Sequence, residues 1–269
     1  MRYTRVPMST LLFERGEDGV VILTINRPEA HNALDLDTMS QFASAVARLS
    51  ESMTLRAIIV TGAGDKAFCS GGDLTDFNRR RSKADGERMI SLMGDALLTL
   101  ERLPVPIIAA INGYAVGGGA ELALACDVRI ADEKTQFGMV HIRRGLIPGW
   151  GGGQRLLRLV GYGRAMEILL SGQILKPAEL MSLGLVNQIV PAGTALDVAL
   201  DLAKHIAHTD ADAARAVKTL LQAGARQPYD AALQTERSLF PALWVGDTHV
   251  HSLDQFVRKQ EQPRKRKPS

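Results

Sequence analysis

Apolar residues follow two rhythms along the chain. In its first half they gather into short, nearly unbroken runs: LLFER, VVILTINRP, LRAIIVTG, PIIAAIN, DVRIAD and the stretch around QFGMV. Runs of this length, rich in β-branched residues, predict strands buried in a mostly parallel sheet. The first two flank GEDG, a turn-forming cluster, and predict a hairpin. A 3.6-residue period replaces the runs in MSQFASAVARLSES, a helix that Asp35 or Asp37 can cap, and in MISLMGDALLTLERL, which Pro104 and Pro106 end. GYAVGGG reads as a glycine-rich turn and AELALACD as a short helix. Leu74 to Asp85 has little apolar periodicity and carries Arg79, Arg80, Arg81 and Lys83, which predicts a mobile surface loop.

From Gln154 onward the helical rhythm dominates, in QRLLRLVG, RAMEILLSG, PAELMSLG, TALDVALDLAKHIAHT, ADAARAVKTLLQAG, YDAALQTERSLFPALW and HSLDQFVRKQ. Only VNQIV interrupts it as a strand. An α/β core at residues 1–190, a helical region at 191–260 and a disordered basic tail at 261–269 account for this order. Self-similarity and long linkers are both absent from the sequence.

Composition narrows the field. At 269 residues, 46% hydrophobic and 23% charged, the chain has enough apolar mass for a large core, which excludes wholesale disorder and collagen-like repetition. With 32 basic against 29 acidic residues the net charge is +3, too balanced to neutralise a phosphate backbone, so no nucleic-acid partner is expected. The excess sits in PRKRKPS. Two cysteines, Cys69 and Cys126, form neither a disulfide framework nor a CxxC pair, and a reducing compartment follows. No apolar stretch is long enough for a membrane span, and no apolar segment follows Arg2 and Arg5 as in a secretory leader. A cytoplasmic protein is expected.

Candidate chemistry concentrates in the glycine-rich turns. GAGDKA after LRAIIVT superficially fits a dinucleotide fingerprint, but no helical period follows it, so Gly62 and Gly64 are assigned to a surface turn. AFCSGGDL and NGYAVGGGAEL each place small residues directly after a strand-like run. Amides of such turns point outward at developing negative charge, and two converging turns can form an oxyanion hole. Glu121 is the single charge in the apolar helix AELALAC, and a buried carboxylate is costly without a purpose. It is the candidate for proton transfer or substrate orientation. His141, between QFGMV and GLIPGWGGG, gains weight from that context. His205 and His208 lie three apart with nothing to complete a ligand set, so no metal site is expected.

Taken together, NRPEAHNAL, AFCSGGDL, INGYAVGGGAELALACDVRIA, IPGWGGGQRL and GLVNQIV resemble the crotonase, or enoyl-CoA hydratase/isomerase, superfamily, from about Leu11 to Gln260. The resemblance implies a spiral of repeated ββα units with a C-terminal helical trimerisation region. It also implies a homotrimer or dimer of trimers, and a coenzyme A thioester as substrate with no separate cofactor. By matching motif positions, the peptide N–H groups of Gly72 and Gly118 would hold the thioester oxygen as it gains enolate charge. Substrate would be lined by His31, Asn32, Ala33, Lys66, Ala67, Phe68, Ser70, Gly71, Asp73, Leu74, Pro148 and Trp150, and Lys259 of a neighbouring subunit would meet a phosphate. Glu121 matches the first catalytic glutamate of family hydratases, whereas His141 stands where the second would be.

VHIRRGLIPGWGG and ERSLFPALWVG are similar to the ethylmalonyl-CoA and methylmalonyl-CoA decarboxylase branch. Decarboxylation of a short alkylmalonyl-CoA is therefore the favoured expectation. Glu121 and His141 would orient the departing carboxylate and protonate the carbanion, without assignment between them, and Trp150 and Trp244 would supply either an apolar wall or core packing. Hydration or isomerisation of an enoyl group on CoA or a carrier protein is the alternative, and a non-catalytic acyl-CoA-binding protein is a third.

Overall fold

The computed structural model describes residues 3–7 and 9–261, excluding the side chains of 5–7, 260 and 261. Arg2, the side chain of Arg5 and the basic run after Glu261 therefore lie outside the described residues. In chain order the first elements are β1 (Tyr3–Pro7), β2 (Leu11–Gly16), β3 (Val20–Ile25) and α1 (Leu36–Ser50). A pattern then occurs three times: a strand in a large sheet, a strand in a small sheet, and a helix. It is made by β4 (Ala57–Gly62), β5 (Ala67–Cys69), α2 (Leu74–Phe77) and α3 (Lys83–Arg102). Next come β6 (Ile107–Ile111), β7 (Tyr114–Val116) and α4 (Gly118–Leu124), then β8 (Val128–Asp132), β9 (Gln136–Gly138) and α5 (Gly152–Ser171). This is the expected ββα spiral. It repeats in topology and not in sequence, because the helices range from 4 residues in α2 to 20 in α3, and Gly161, with φ of +77°, breaks α5 in two.

The large sheet has the order β1-β2-β3-β4-β6-β8 and then β10 (Gln188–Val190). GEDG joins β2 and β3 as the expected hairpin, while β3, β4, β6, β8 and β10 run parallel. Alternate side chains leave opposite faces of a strand. Ile58 and Val60 thus enter the main core, which includes Phe42 of α1 and Leu97 of α3, whereas Ala57 and Ile59 face a second cluster. Ala195, Ala199 and Ala203 of α7 (Ala195–Ala207) complete that cluster as a stripe at four-residue spacing. Burial on both faces explains the unbroken apolar runs.

Several expectations change. The division falls after His208 and not at 190, because α7 packs on the sheet. The first unit also contains α6 (Pro177–Ser182), and the second contains α8 (Ala211–Arg226), α9 (Tyr229–Trp244) and α10 (Asp247–Glu261). Between Leu74 and Asp85 the chain forms α2 and begins α3. Asp73 caps the former, and a capping box of Ser82 with Asp85 opens the latter, so local capping replaces apolar periodicity. Asp35, not Asp37, caps α1, accepting from Thr38 N–H at 2.8 Å. Tyr114–Val116 within the expected glycine turn pairs as β7. β1 has no counterpart in the sequence reading.

Candidate active site

The small sheet, with parallel order β5-β7-β9, builds the site at its C-terminal ends. β5 leads into Ser70–Asp73, β7 into Gly117 and α4, and β9 into a 3₁₀ helix at Val140–Arg144 that carries His141. Parallel strands deliver all three turns to one edge. The first two approach closely: a Cβ on Gly71, whose φ is +92°, would stand 2.9 Å from Gly118 N. Leu34 N–H donates to Gly71 O at 2.8 Å and Asp73 N–H to Leu34 O at 2.9 Å. By contrast, the N–H groups of Gly72 and Gly118 have no internal acceptor among the described residues. Gly118 is the first residue of α4, where amides lack helical partners and the helix dipole is positive.

Glu121 lies in that same helix and its side chain is 2% exposed. Its Oε2 accepts from Trp150 N–H and Gly152 N–H, each at 2.8 Å, and Oε1 accepts from Gly149 N–H at 3.3 Å. His141 Nε2 is 3.0 Å from Oε1. The turn before α5 thus wraps its peptide nitrogens around the carboxylate. Gly152 is required there, since a Cβ would overlap Glu121 Cγ and stand 2.9 Å from Oε2. Gly149 and Gly152 were not singled out from sequence; their signal was the glycine pattern PGWGGG.

Trp150 is buried with its ring against the Cα of Gly118, and its Nε1–H donates to Met89 Sδ at 3.2 Å. It therefore packs and walls the turn at once. Trp244, in the second unit, is instead 55% exposed and makes tilted ring contacts with Phe240 and His249. Beside His141 opens a cavity of about 370 Å³ whose wall includes Met139, Ile142, Pro148, Leu157, Met166 and Leu169.

The remaining expected positions divide. His31 is exposed with left-handed φ of 51°, and its carbonyl accepts from Ser70 N–H at 3.1 Å, joining that loop to the β5 turn. Lys66 and Leu74 are exposed, whereas Ala67 and Phe68 are buried, Phe68 in the main core. Its ring is thus a packing group rather than a lining group. Asn32 is also internal: its Oδ1 accepts from Arg27 N–H at 3.0 Å and its Nδ2 donates to Ala63 O and Ala67 O at 2.9 and 2.6 Å. Arg27 donates to Ala33 O at 2.6 Å and pairs with Asp73 at 2.9 Å and Asp35 at 3.2 Å. Burial raises the Asp73 carboxyl, but Arg27 and the N–H groups of Asp76 and Thr75 outweigh it and leave the pKa below the ordinary value. The side chains of Asp73 and Asn32 are joints of the loop. Lys259 is exposed on α10 of the second unit.

Known proteins resemble this chain along nearly its whole length. A Clostridium acetobutylicum short-chain-enoyl-CoA hydratase is 33% identical over 254 residues, 94% of this chain and 97% of its own. A Xenopus laevis ethylmalonyl-CoA decarboxylase is 34% identical over 242 residues, 89% and 80% of the two chains. The crystal structure of an enoyl-CoA hydratase from Bacillus anthracis superposes with a TM-score of 0.85 at 32% identity, covering 96% of this chain and 97% of that one. The sequence profile of enoyl-CoA hydratase/isomerase matches residues 15–266. Spiral, turns and sequence agree, and the chain belongs to the enoyl-CoA hydratase/isomerase family.

Proposed function

We propose that the protein adds water across the α,β double bond of an enoyl thioester, with the Glu121 carboxylate, in contact with His141, at the centre where the proton moves. The observation that carries this reading is a buried carboxylate, 3.0 Å from an imidazole, in a helix whose first amide is unpaired among the described residues. As water bonds to the β-carbon, the π electrons move onto the thioester oxygen. The amides of Gly72 and Gly118 are the donors to that oxygen in this reading, and one such donor typically contributes about 2.7–4 kcal/mol to lowering the barrier. The apolar cavity beside His141 suits the acyl group. The hydratases among the relatives support hydration over the decarboxylation favoured from sequence.

Decarboxylation of an alkylmalonyl-CoA is the second reading. His141 in place of a second carboxylate and the 34% identity to the Xenopus decarboxylase favour it. Loss of CO₂ produces the same enolate without prior proton abstraction. Incubation with crotonyl-CoA and ethylmalonyl-CoA, followed by mass spectrometry, separates the two. Gain of water by the first is expected; loss of CO₂ from the second with no hydration refutes the proposal, and binding without turnover of either points to a scaffold.

We further infer a homotrimer or dimer of trimers built on the helical C-terminal region. Phe240 and Trp244 of α9 and Leu253 and Phe256 of α10 are exposed apolar side chains that such an assembly would cover. Light scattering that finds only monomers rejects it.

A further inference from the structure

The two ring nitrogens of His141 have unlike surroundings. Nε2 lies 3.0 Å from Glu121 Oε1, whereas Nδ1 is buried and has no hydrogen-bond partner among the described residues. Around Glu121, three of the four nearby nitrogens are peptide amides, which can only donate. A carboxyl proton on Oε2 would confront the N–H groups of Trp150 and Gly152, and one on Oε1 would confront that of Gly149. The side chain is thus arranged to accept on both oxygens. The hydrogen between Glu121 and His141 then belongs to Nε2, and Nδ1 remains bare. A proton moved to Nδ1 would have no acceptor, while Nε2 would turn a lone pair toward Oε1.

From this geometry we infer that His141 is a positioning residue fixed in the Nε2–H tautomer, and that Glu121 Oε1 is the single proton carrier of the site. The inference rests on reading the site as an acyl-thioester enzyme. Nε2 already holds its hydrogen, so it takes none from water, and the bare Nδ1 is walled off. His141 instead aims Oε1. On an enoyl thioester, Oε1 removes one proton from water as the water oxygen bonds to the β-carbon and the π pair moves onto the thioester oxygen. Oε1 then returns that proton to the α-carbon as the carbonyl reforms. One water has been added and Glu121 ends as it began. The 3.3 Å contact from Gly149, the longest of the four, is the one that yields when the proton arrives.

Two measurements on the full chain test this. In the first, ¹⁵N-histidine spectra are recorded, with the His141 signals assigned by their loss in His141→Gln. A proton on Nε2 and a bare Nδ1 are expected; a proton on Nδ1 overturns the inference. The second compares amide substitutes, since a Gln side chain places its N–H near Nε2 and an Asn near Nδ1. His141→Gln is expected to keep kcat within about tenfold of the parent, the scale of one altered hydrogen bond. His141→Asn is expected to lower kcat by about 10² or more. Asn matching or exceeding Gln overturns the inference. If the unmodified protein turns over neither enoyl nor alkylmalonyl thioesters, the thioester reading fails, and the ring spectrum still decides the tautomer.

Discussion

Replacing Glu121 by Gln keeps the shape of the side chain and turns one acceptor into a donor. With 2% of the side chain exposed, water cannot repair the mismatch. The least costly placement leaves the amide oxygen at the Oε2 position, where Trp150 and Gly152 N–H groups at 2.8 Å retain their acceptor. The NH₂ then faces Gly149 N–H and His141 Nε2, and two donors lose theirs. Each costs about 1–3 kcal/mol when buried. Moving the ring hydrogen to Nδ1 relieves one clash but creates another unpaired donor, because Nδ1 has no partner among the described residues. The net expectation is a loss of about 2–5 kcal/mol, large against the roughly 5–15 kcal/mol of an ordinary domain. At about 2–4 °C per kcal/mol the melting midpoint falls by about 4–20 °C. Calorimetry measures the stability, and turnover of crotonyl-CoA measures the chemistry, where a drop of about 10²–10⁴ is expected. A variant within about 0.5 kcal/mol of the parent would refute the account of Glu121 as the acceptor that organises this turn. Undiminished turnover would remove it as the proton carrier.

Further consequences are open to simple assays. Burial pushes the Cys69 thiol up to about 12 despite the opposing Gly71 N–H, so native protein at mildly alkaline pH should resist iodoacetamide at Cys69, and labelling by mass spectrometry before denaturation counts against this. Asp73→Asn should destabilise at neutral pH: the lowered native pKa contributes stability that is complete above the unfolded value near 3.8 and is lost as pH falls through the native one. Its stability difference from the parent should therefore shrink in acid, and a gap that widens contradicts the Arg27 pairing. Gly119→Ala should prevent folding, because its Cβ would overlap the Cys69 carbonyl, whereas Gly94→Ala, inside α3 with its nearest neighbour at 3.9 Å, should stabilise by about 0.5–1 kcal/mol. Equal melting points for those two variants would contradict the packing of α4 on β5.

The fold was legible where burial left a mark on composition. β4 and β6 are packed on both faces, and AIIVTG and IIAAI are accordingly apolar at nearly every position. α2 was not legible, because it is a four-residue helix held by Asp73 and carries no buried residue to set a period. The same asymmetry governs the site. Glu121 stood out as one charge in an apolar helix, whereas the groups that satisfy it are peptide nitrogens, which any residue but proline supplies. Asn32 shows the converse case. A buried amide that ties three backbone groups together and one that touches a ligand look the same in sequence, and only its internal partners distinguish them.

A single carboxylate therefore links parts of the chain that sequence presents as separate. Glu121 leaves the α4 turn that also bears the unpaired Gly118 amide, receives the amides of the turn opening α5, and meets the histidine after β9. Trp150 closes the circle by placing its ring on Gly118 while its own N–H binds Glu121. Any shift of the carboxylate is felt by the turn that holds the indole, and so by the wall beside the Gly118 amide. On the proposed reading of the site, proton handling and oxyanion binding are thus mechanically coupled, and substitutions at Trp150 and Glu121 should be non-additive in turnover. Strict additivity of the two in a double-mutant cycle would separate what the geometry joins.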